Sequence, residues 1–344
     1  MKRILIIVLF LIFFITHSWS QELLCGTVYS HEDSATSALL QRIHNTRSTS
    51  TTLNDTLYFR VQIHIIRTSS HITSLNLDSL QKDLNDLNIY YRPAAIQFYI
   101  CNDYNYIDDD QYYTFYYTDE AYLINTYNDP SAINIYFAQT VHNTDTTTCA
   151  GYSYRPTTPT PHNFIIISNT YIRQMTIIHE MGHFFNLLHT HETKTGIELV
   201  NGSNCQNAGD LCCDTPADPG LSDANVNSSC IYTEEQTDPN GDLYTPNPHN
   251  IMSYARKKCR DLFTADQYER VRDAAYLQCR QILCNHHTKL ENGSITSNTT
   301  ISNDIITIKN YYLEADSIKI NACHEIILNP SVTLQKGVIL NTQN

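Results

Sequence analysis

The most constraining stretch of the chain runs from His179 to His189, with the sequence HEMGHFFNLLH. His179 and His183 are four residues apart, so a helix carries both imidazoles on one face, as two ligands of a single ion require. Glu180 is adjacent and can face a water on that ion. His189 lies six residues beyond the second histidine and would be badly placed on a continuing helix, so the chain must turn near Asn186.

Asn186 stands where this turn is needed. A chain that swings back beneath a metal usually needs a left-handed residue, which glycine adopts freely and asparagine adopts next most readily. The stretch resembles the extended zinc signature of the metzincins, H-E-x-x-H-x-x-G-x-x-H, with Asn186 in the glycine's place. The alternative is an ordinary amphipathic helix with surface histidines, because Met175, Ile177, Ile178 and Leu187 would form a core face in either case.

A second segment fits the same family. Residues 250–254, Asn-Ile-Met-Ser-Tyr, resemble the metzincin Met-turn, a tight turn whose methionine forms an apolar floor under the three imidazoles. Taken alone, Met252 would be an ordinary core methionine. A tyrosine two residues later, Tyr254, can reach the metal region.

The resemblance implies a catalytic zinc centre. Its ligands would be His179, His183 and His189, leaving a fourth position for a water whose pKa the metal lowers. Glu180 would take the proton from that water and pass it to the leaving amine, while the hydroxyl of Tyr254 would donate to the oxyanion.

After the zinc signature the sequence becomes irregular and rich in Gly, Asn, Asp and Pro. Residues 209–216, Gly-Asp-Leu-Cys-Cys-Asp-Thr-Pro, resemble a segment found specifically in the pappalysin branch of the metzincins. The resemblance implies a structural calcium with Asp210, the carbonyl of Cys212 and Thr215 as candidate ligands, since oxygen-rich turns suit a hard cation. A cluster of Asx turns without an ion is the alternative.

The chain has eleven cysteines, which indicates an oxidising compartment. Cys205, Cys213, Cys230 and Cys259 surround the irregular segment in the way the two disulfides of the family do. The sequence does not decide their pairing, and we expect Cys205 with Cys230 and Cys213 with Cys259. Because the number of cysteines is odd, one thiol is left for another purpose.

Cys25 is the candidate for this thiol. It opens a Cys-Gly-Thr segment near the start of the exported chain. By resemblance to pappalysin-type zymogens, its thiolate can bind the zinc and block the catalytic water until a propeptide, residues 21–54, is cut away. A structural disulfide is the alternative.

Residues 1–20 have the pattern of a secretory signal peptide, with Lys2 and Arg3, an apolar run from Ile4 to Ile15, and small residues before Gln21. The run is short for a bilayer span, so we expect a secreted or cell-surface protein without stable membrane insertion. The chain has 22 basic and 35 acidic residues and a net charge of −13. Nucleic acid and anionic membrane surfaces are therefore poor partners.

Apolar periodicity predicts the secondary structure. Alternation predicts strands at 57–66, 94–101, 133–141, 151–155 and 164–168, and helical spacing predicts helices at 76–91 and 264–281. Thr264 followed by Gln267 is a start signal for the second of these helices.

These elements match the α+β fold of a metzincin catalytic domain over residues 55–285. The expected parts are a mixed twisted sheet, a backing helix, the active-site helix and an irregular lower subdomain. Residues 151–155 are the candidate edge strand, which would bind substrate in an extended antiparallel pairing. Short alternating runs at 305–308 and 326–328 predict a small all-β tail over 286–344.

The resulting hypothesis is an exported zinc endopeptidase of proteins or peptides, a metalloendopeptidase of the EC 3.4.24 class. The alternative is a zinc-bearing surface or binding protein that has lost catalysis, which the presence of Glu180 and Tyr254 argues against. Asp214 and Asp218 indicate a preference for a basic residue after the cut bond. Of the other histidines, His191 is nearest to the site.

Overall fold

The computed structural model describes residues 25–27, 56–143, 147–155, 163–278, 287–315, 317–329, 331–334 and 337–342. The predicted signal peptide and nearly all of the predicted propeptide lie outside these residues.

A six-stranded sheet forms the upper part of the molecule. Its strands are β1 (Leu57–Arg67), β2 (Ile96–Tyr99), β3 (Asn105–Asp108), β5 (Ile133–Ala138), β8 (Gly151–Ser153) and β9 (Phe164–Ser168). They lie in the order β2-β1-β5-β9-β8, with β3 also pairing with β1, and only the β8 pairing is antiparallel. Every residue of β5 and β9 is buried, as expected for parallel strands covered on both faces.

Two helices lie behind this sheet. The backing helix, α1 (Leu77–Tyr91), begins at Asn76, whose side chain accepts a hydrogen bond from Ser79 N at 2.8 Å. The active-site helix, α4 (Thr176–Phe184), is buried along its whole length. Tyr91 joins the two helices because its hydroxyl donates to the carbonyl of Ile178 at 2.8 Å.

A smaller layer covers the other side of the sheet. It contains the helices α2 (Asp110–Tyr113) and α3 (Glu120–Tyr127) and the strands β4 (Thr114–Tyr116), β6 (Thr140–His142) and β7 (Thr148–Cys149). The single strand predicted over 133–141 is therefore two strands in different sheets. Gln139 separates them, and its N–H donates to the carbonyl of Tyr113 at 3.0 Å.

The lower part, residues 185–264, is irregular, as predicted. Its regular structure is limited to the short 3-10 turn Lys257–Cys259 and isolated bridges. The helix α5 (Ala265–Gln278) follows. It begins with the predicted capping box, since Gln267 N donates to Thr264 Oγ1 at 3.3 Å and Thr264 N donates to Gln267 Oε1 at 3.0 Å.

The predicted disulfide pairing is wrong. The structure joins Cys205 with Cys213 and Cys230 with Cys259, at Cα separations of 5.0 Å and 5.6 Å. The chain folds back between the first two cysteines through left-handed residues at Gly209 and Leu211, so the near neighbour in sequence is also the neighbour in space. Cys25, Cys149 and Cys212 are free thiols among the described residues.

The predicted all-β tail is a stack of parallel strands, β10 (His287–Ile295), β11 (Thr299–Leu313), β12 (Ile318–Leu328), β13 (Thr333–Leu334) and β14 (Val338–Thr342). Pairing of residue 287 with 305, 299 with 318, and 318 with 338 gives offsets of 18 to 20 residues, the register of a small solenoid. Its interior is apolar, with Ile306, Ile308, Ile318 and Ile320 fully buried.

The solenoid is attached to the sheet by a disulfide between Cys101 and Cys323. Beside this bond, Tyr99 stacks on His324 with ring centroids 4.9 Å apart. Asp304 accepts a hydrogen bond from the hydroxyl of Tyr99 at 3.3 Å. Across the described ranges, no helix is both long enough and apolar enough to span a membrane.

Candidate active site

Three imidazoles converge beneath the sheet. His179 and His183 extend from α4 with ring centroids 4.8 Å apart. The ring of His189 lies 4.4 Å from that of His183 and 5.3 Å from that of His179. The structure therefore brings together the three histidines named by the signature.

The turn that returns His189 to the site is centred on Asn186. Its φ of +69° is left-handed, as predicted for the residue in the glycine's position. Leu187 N donates to the carbonyl of Gly182 at 2.8 Å and closes the turn. Arg270 Nε donates to the carbonyl of Asn186 at 2.7 Å, which holds the turn against α5.

The hydrogen bonds of the rings test whether a metal fits. His179 Nδ1 donates to the carbonyl of Ile251 at 2.7 Å and His183 Nδ1 donates to that of Leu187 at 2.8 Å, so each Nε2 keeps a lone pair. His179 Nε2 is buried without a hydrogen-bond partner, and His183 Nε2 lies 3.0 Å from His189 Nε2.

Burial is the main cause that lowers the pKa of all three rings, so the neutral form that binds metal is favoured. Three neutral imidazoles whose nitrogens converge fit a zinc ion.

Met252 lies in a tight turn within the irregular lower part and is fully buried. Its N–H donates to Asn250 Oδ1 at 2.8 Å, and Ser253 Oγ donates to the carbonyl of Asn250 at 2.8 Å. Its sulfur packs closely against Gly182 of the active-site helix, because a Cβ there would stand 2.7 Å from Met252 Sδ. The methionine thus packs directly against the helix that carries the first two histidines.

Glu180 is fully buried beside the histidines. Ser153 Oγ of the edge strand donates to its carbonyl at 2.7 Å, which fixes the helix against β8. Burial raises the pKa of the Glu180 carboxyl to about 7, although hydrogen bonds from Cys25 and Thr27 oppose this shift. This value suits a group that accepts and returns a proton near neutral pH.

The segment Cys25-Gly26-Thr27 lies in the same site. Cys25 Sγ and one nitrogen from each of the three histidines lie within 4.8 Å of one another. Gly26 N donates to the carbonyl of Gly151 on β8 at 2.9 Å. The hydroxyl of Tyr254 donates to the carbonyl of Cys25 at 3.3 Å. The segment therefore covers both the point where the imidazoles meet and the adjoining strand edge.

Thr27 was not singled out by the sequence. Its Oγ1 lies 3.1 Å from Glu180 Oε2 and accepts a hydrogen bond from Ser153 N at 3.0 Å. Its own N–H donates to Cys25 Sγ at 3.2 Å. The only sequence signal was its place in the Cys-Gly-Thr segment.

The candidate calcium ligands also lie together. Asp210 Oδ1 accepts from Cys212 N at 3.0 Å, and the carbonyl of Cys212 accepts from Thr215 N at 3.1 Å. Glu198, which the sequence gave no reason to select, points a buried Oε2 without a hydrogen-bond partner toward this group. Burial raises the pKa of Asp210 to about 8 and that of Glu198 to about 7. Two buried carboxyls that share one site fit a hard cation.

The remaining predicted residues are placed around the site. His191 stacks on His189 with ring centroids 5.2 Å apart and contacts the ring of Tyr254 at 4.4 Å. The carboxylate of Asp218 accepts hydrogen bonds from Thr190 Oγ1 at 2.5 Å and from Gly220 N at 2.8 Å. Asp214 is exposed and accepts from Asp266 N at 2.9 Å.

Known proteins resemble the chain over this region. The model of peptidase family M43, described as pregnancy-associated plasma protein-A, matches residues 116–276. An extracellular metalloprotease of Podospora anserina is 26% identical over 235 residues, 62% of this chain and 71% of that protein. One of Pyricularia oryzae is 27% identical over 229 residues, 61% of this chain and 71% of that protein. One of Aspergillus fumigatus is 36% identical over 105 residues, 30% of this chain and 28% of that protein.

A solved structure also resembles the chain. It is a mutant of promirolysin from Tannerella forsythia, with a TM-score of 0.47 and 14% identity, covering 73% of this chain and 88% of that chain. The mixed α+β class with all-β C-terminal strands agrees with the fold predicted from the sequence. The match over residues 116–276 and the similarity to these relatives support a metallopeptidase of the pappalysin family.

Proposed function

We propose that the protein is an exported zinc endopeptidase that is made in a latent form. The similarity to peptidase family M43 and to extracellular metalloproteases supports a metallopeptidase of proteins or peptides. The proposal of a zinc endopeptidase rests on one observation, the convergence of three neutral imidazoles and one buried carboxyl beside an edge strand.

The residues that would hold the zinc are His179, His183 and His189. When bound, zinc supplies a Lewis acid that lowers the pKa of water and polarises the substrate carbonyl. The backbone carbonyls of Ile251 and Leu187 orient two of the rings through Nδ1 and keep Nε2 available.

Glu180 is the proton carrier in this proposal. Its carboxylate takes a proton from the attacking water and delivers it to the leaving amine. The pKa of about 7 lets the carboxyl hold that proton between the two steps near neutral pH. Ser153 holds the backbone of Glu180 in place by its hydrogen bond of 2.7 Å.

Substrate would bind along the edge strand β8. The carbonyl of Gly151 and the N–H of Ser153, which the Cys25 segment engages, are backbone groups to which an extended peptide can bond. The hydroxyl of Tyr254, which donates to the carbonyl of Cys25, would instead donate to the oxyanion of a bound substrate.

Latency follows from the same contacts. The thiol of Cys25 stands at the fourth side of the histidine cluster, and Thr27 lies against the carboxyl of Glu180. As long as the segment stays in place, it keeps both water and substrate away from the carboxyl. Cleavage within the predicted propeptide, residues 21–54, would release it.

Export is supported by residues 1–20, by the disulfides, and by relatives that are named extracellular metalloproteases. Calcium bound by Asp210, Glu198, Thr215 and the carbonyl of Cys212 would stabilise the lower subdomain, which has little regular structure.

Casein hydrolysis and zinc content of Glu180→Ala, compared with wild type after release of the Cys25 segment, test the function. We expect activity to fall by at least about 1000-fold, on the scale of losing a group essential to proton transfer, with zinc retained. Glu314→Ala, an exposed glutamate on the solenoid side, is the matched control and should keep full activity. Equal activity in Glu180→Ala and wild type would overturn the mechanism. Zinc binding without hydrolysis in wild type would favour a noncatalytic binding protein.

A further inference from the structure

A narrow cleft beside Glu180 contains two buried cations. Its walls include Thr176, His179 and Glu180 from the active-site helix, Tyr254 from the Met-turn, and Lys257 and Arg260 from the segment after that turn. Cys25 also lines the cleft, so release of the Cys25 segment would widen it. Lys257 and Arg260 are only 8% and 7% exposed. Both are held in position, since Lys257 Nζ lies 3.6 Å from the centroid of the Tyr171 ring and Arg260 Nε donates to the carbonyl of Ala255 at 2.6 Å.

A larger cavity of about 480 Å³ continues from these two residues. Besides Lys257 and Arg260, its charged lining comprises Arg173, Arg256 and Lys258 against Asp223 and Asp261. With five cations and two carboxylates, this lining carries a positive charge, whereas the whole chain has a net charge of −13. The cleft beside the catalytic carboxyl thus shares two cations with a locally basic surface.

The two cations lie beside the groups proposed to react. Lys257 and Arg260 share the walls of the cleft with Glu180 and His179. A carboxylate entering this cleft would gain charge-assisted hydrogen bonds, whereas a lysine or arginine side chain would meet like charge.

The position of Glu180 identifies which substrate residue faces the cleft. In the proposed function, Glu180 delivers the proton to the leaving amine, so the residue that carries this amine lies next to it. The cleft shares Glu180 as a wall. We propose, on the basis of that function, that Lys257 and Arg260 select an aspartate or glutamate side chain at the residue following the cleaved bond.

This specificity is opposite to the basic preference that Asp214 and Asp218 indicated. Neither aspartate lines the cleft. The carboxylate of Asp218 is engaged by the hydroxyl of Thr190 and the N–H groups of Gly220 and Leu221, and that of Asp214 by the N–H of Asp266. The charge of the pocket is therefore set by Lys257 and Arg260, which line the cleft together with Glu180.

Hydrolysis of matched peptides by the full chain with Cys25→Ala, loaded with zinc, tests the inference. The peptides differ only in Glu, Gln or Lys after the bond to be cut, so Glu and Gln have the same shape. We expect kcat/KM for Glu to exceed that for Gln by about tenfold or more, as for a charge-assisted hydrogen bond, with Lys the poorest. Lys257→Met should reduce the ratio to about threefold or less, because it keeps the apolar stem and removes the charge.

Lys319→Met is the matched control, since it makes the same change on an exposed solenoid position and should leave the ratio unchanged. Lys257→Arg keeps the charge and should preserve the preference, which guards against loss of folding in the methionine variant. Equal rates for Glu and Gln, or faster cleavage of Lys, would overturn the inference.

Calorimetric binding of product peptides that begin with Glu or Gln separates this inference from the proposed function. Tighter binding of the Glu peptide without any hydrolysis would leave the pocket assignment standing and remove the peptidase. Hydrolysis of all the peptides, with no preference for Glu over Gln in cleavage or in product binding, would support the peptidase and remove the pocket assignment.

Discussion

Gly182 contacts the sulfur of Met252, and this contact reverses the usual effect of replacing a helical glycine. In a helix interior, alanine is more stable than glycine by about 1 kcal/mol. At this position the new methyl would stand 2.7 Å from Met252 Sδ and 3.3 Å from Leu187 Cδ1. Overpacking of a core costs about 1–3 kcal/mol. Since the flexible methionine relieves part of the clash, we expect Gly182→Ala to lower the free energy of unfolding by about 1 kcal/mol.

Urea unfolding of the zinc-loaded protein measures this change. In a Met252→Ala background the clash with sulfur is gone, so the same Gly182→Ala replacement should raise the free energy of unfolding, by up to about 1 kcal/mol. The two backgrounds should therefore differ by about 2 kcal/mol, a coupling of the size found for residues in direct contact. A stabilising effect of equal size in both backgrounds would refute the packing of the methionine turn against the active-site helix.

Three further predictions concern the switch, the calcium group and the turn. Cys25→Ala should give the uncleaved chain at least about tenfold more caseinolytic activity, because the thiol no longer competes for zinc, and persistent latency would contradict this role. Without calcium, the raised pKa values of Glu198 and Asp210 stabilise the fold at acid pH, and this stabilisation is lost as pH rises from about 4.5 through 7 to 8. Calcium should therefore raise Tm more at pH 8 than at pH 5. The increase in Tm should also be smaller in Glu198→Gln than in wild type. Equal increases in Tm at both pH values, or in both proteins, would argue against the site. Asn186→Gly should keep both the free energy of unfolding and the zinc content of wild type. Asn186→Val should lower the free energy of unfolding in urea by about 1–2 kcal/mol, because valine disfavours the left-handed conformation. An unchanged free energy of unfolding in Asn186→Val would contradict the left-handed turn.

Local spacing made much of the molecule predictable. The position of the turn at Asn186 follows from the offset of six residues between His183 and His189, and the capping box of α5 follows from Thr264 and Gln267. The edge strand β8 and the backing helix were also found, because alternation and helical periodicity are properties of short segments.

Features that depend on distant contacts were missed or wrong. The disulfide pairing depends on how the chain folds back at Gly209 and Leu211, which spacing alone does not reveal. Glu198 reaches the candidate calcium ligands from outside residues 209–216, the segment recognised in the sequence. The break at Gln139 arises from a backbone hydrogen bond to Tyr113, in a polar stretch whose helices and short strands have no clear period.

The disulfide between Cys101 and Cys323 closes residues 101–323 into one covalent ring. A nick anywhere in residues 279–286, between α5 and the solenoid, would leave the two fragments in a single molecule. Shedding the solenoid would require a reductant as well as a protease. In an environment that contains other peptidases, such a ring would preserve the solenoid on an enzyme whose backbone has already been cut.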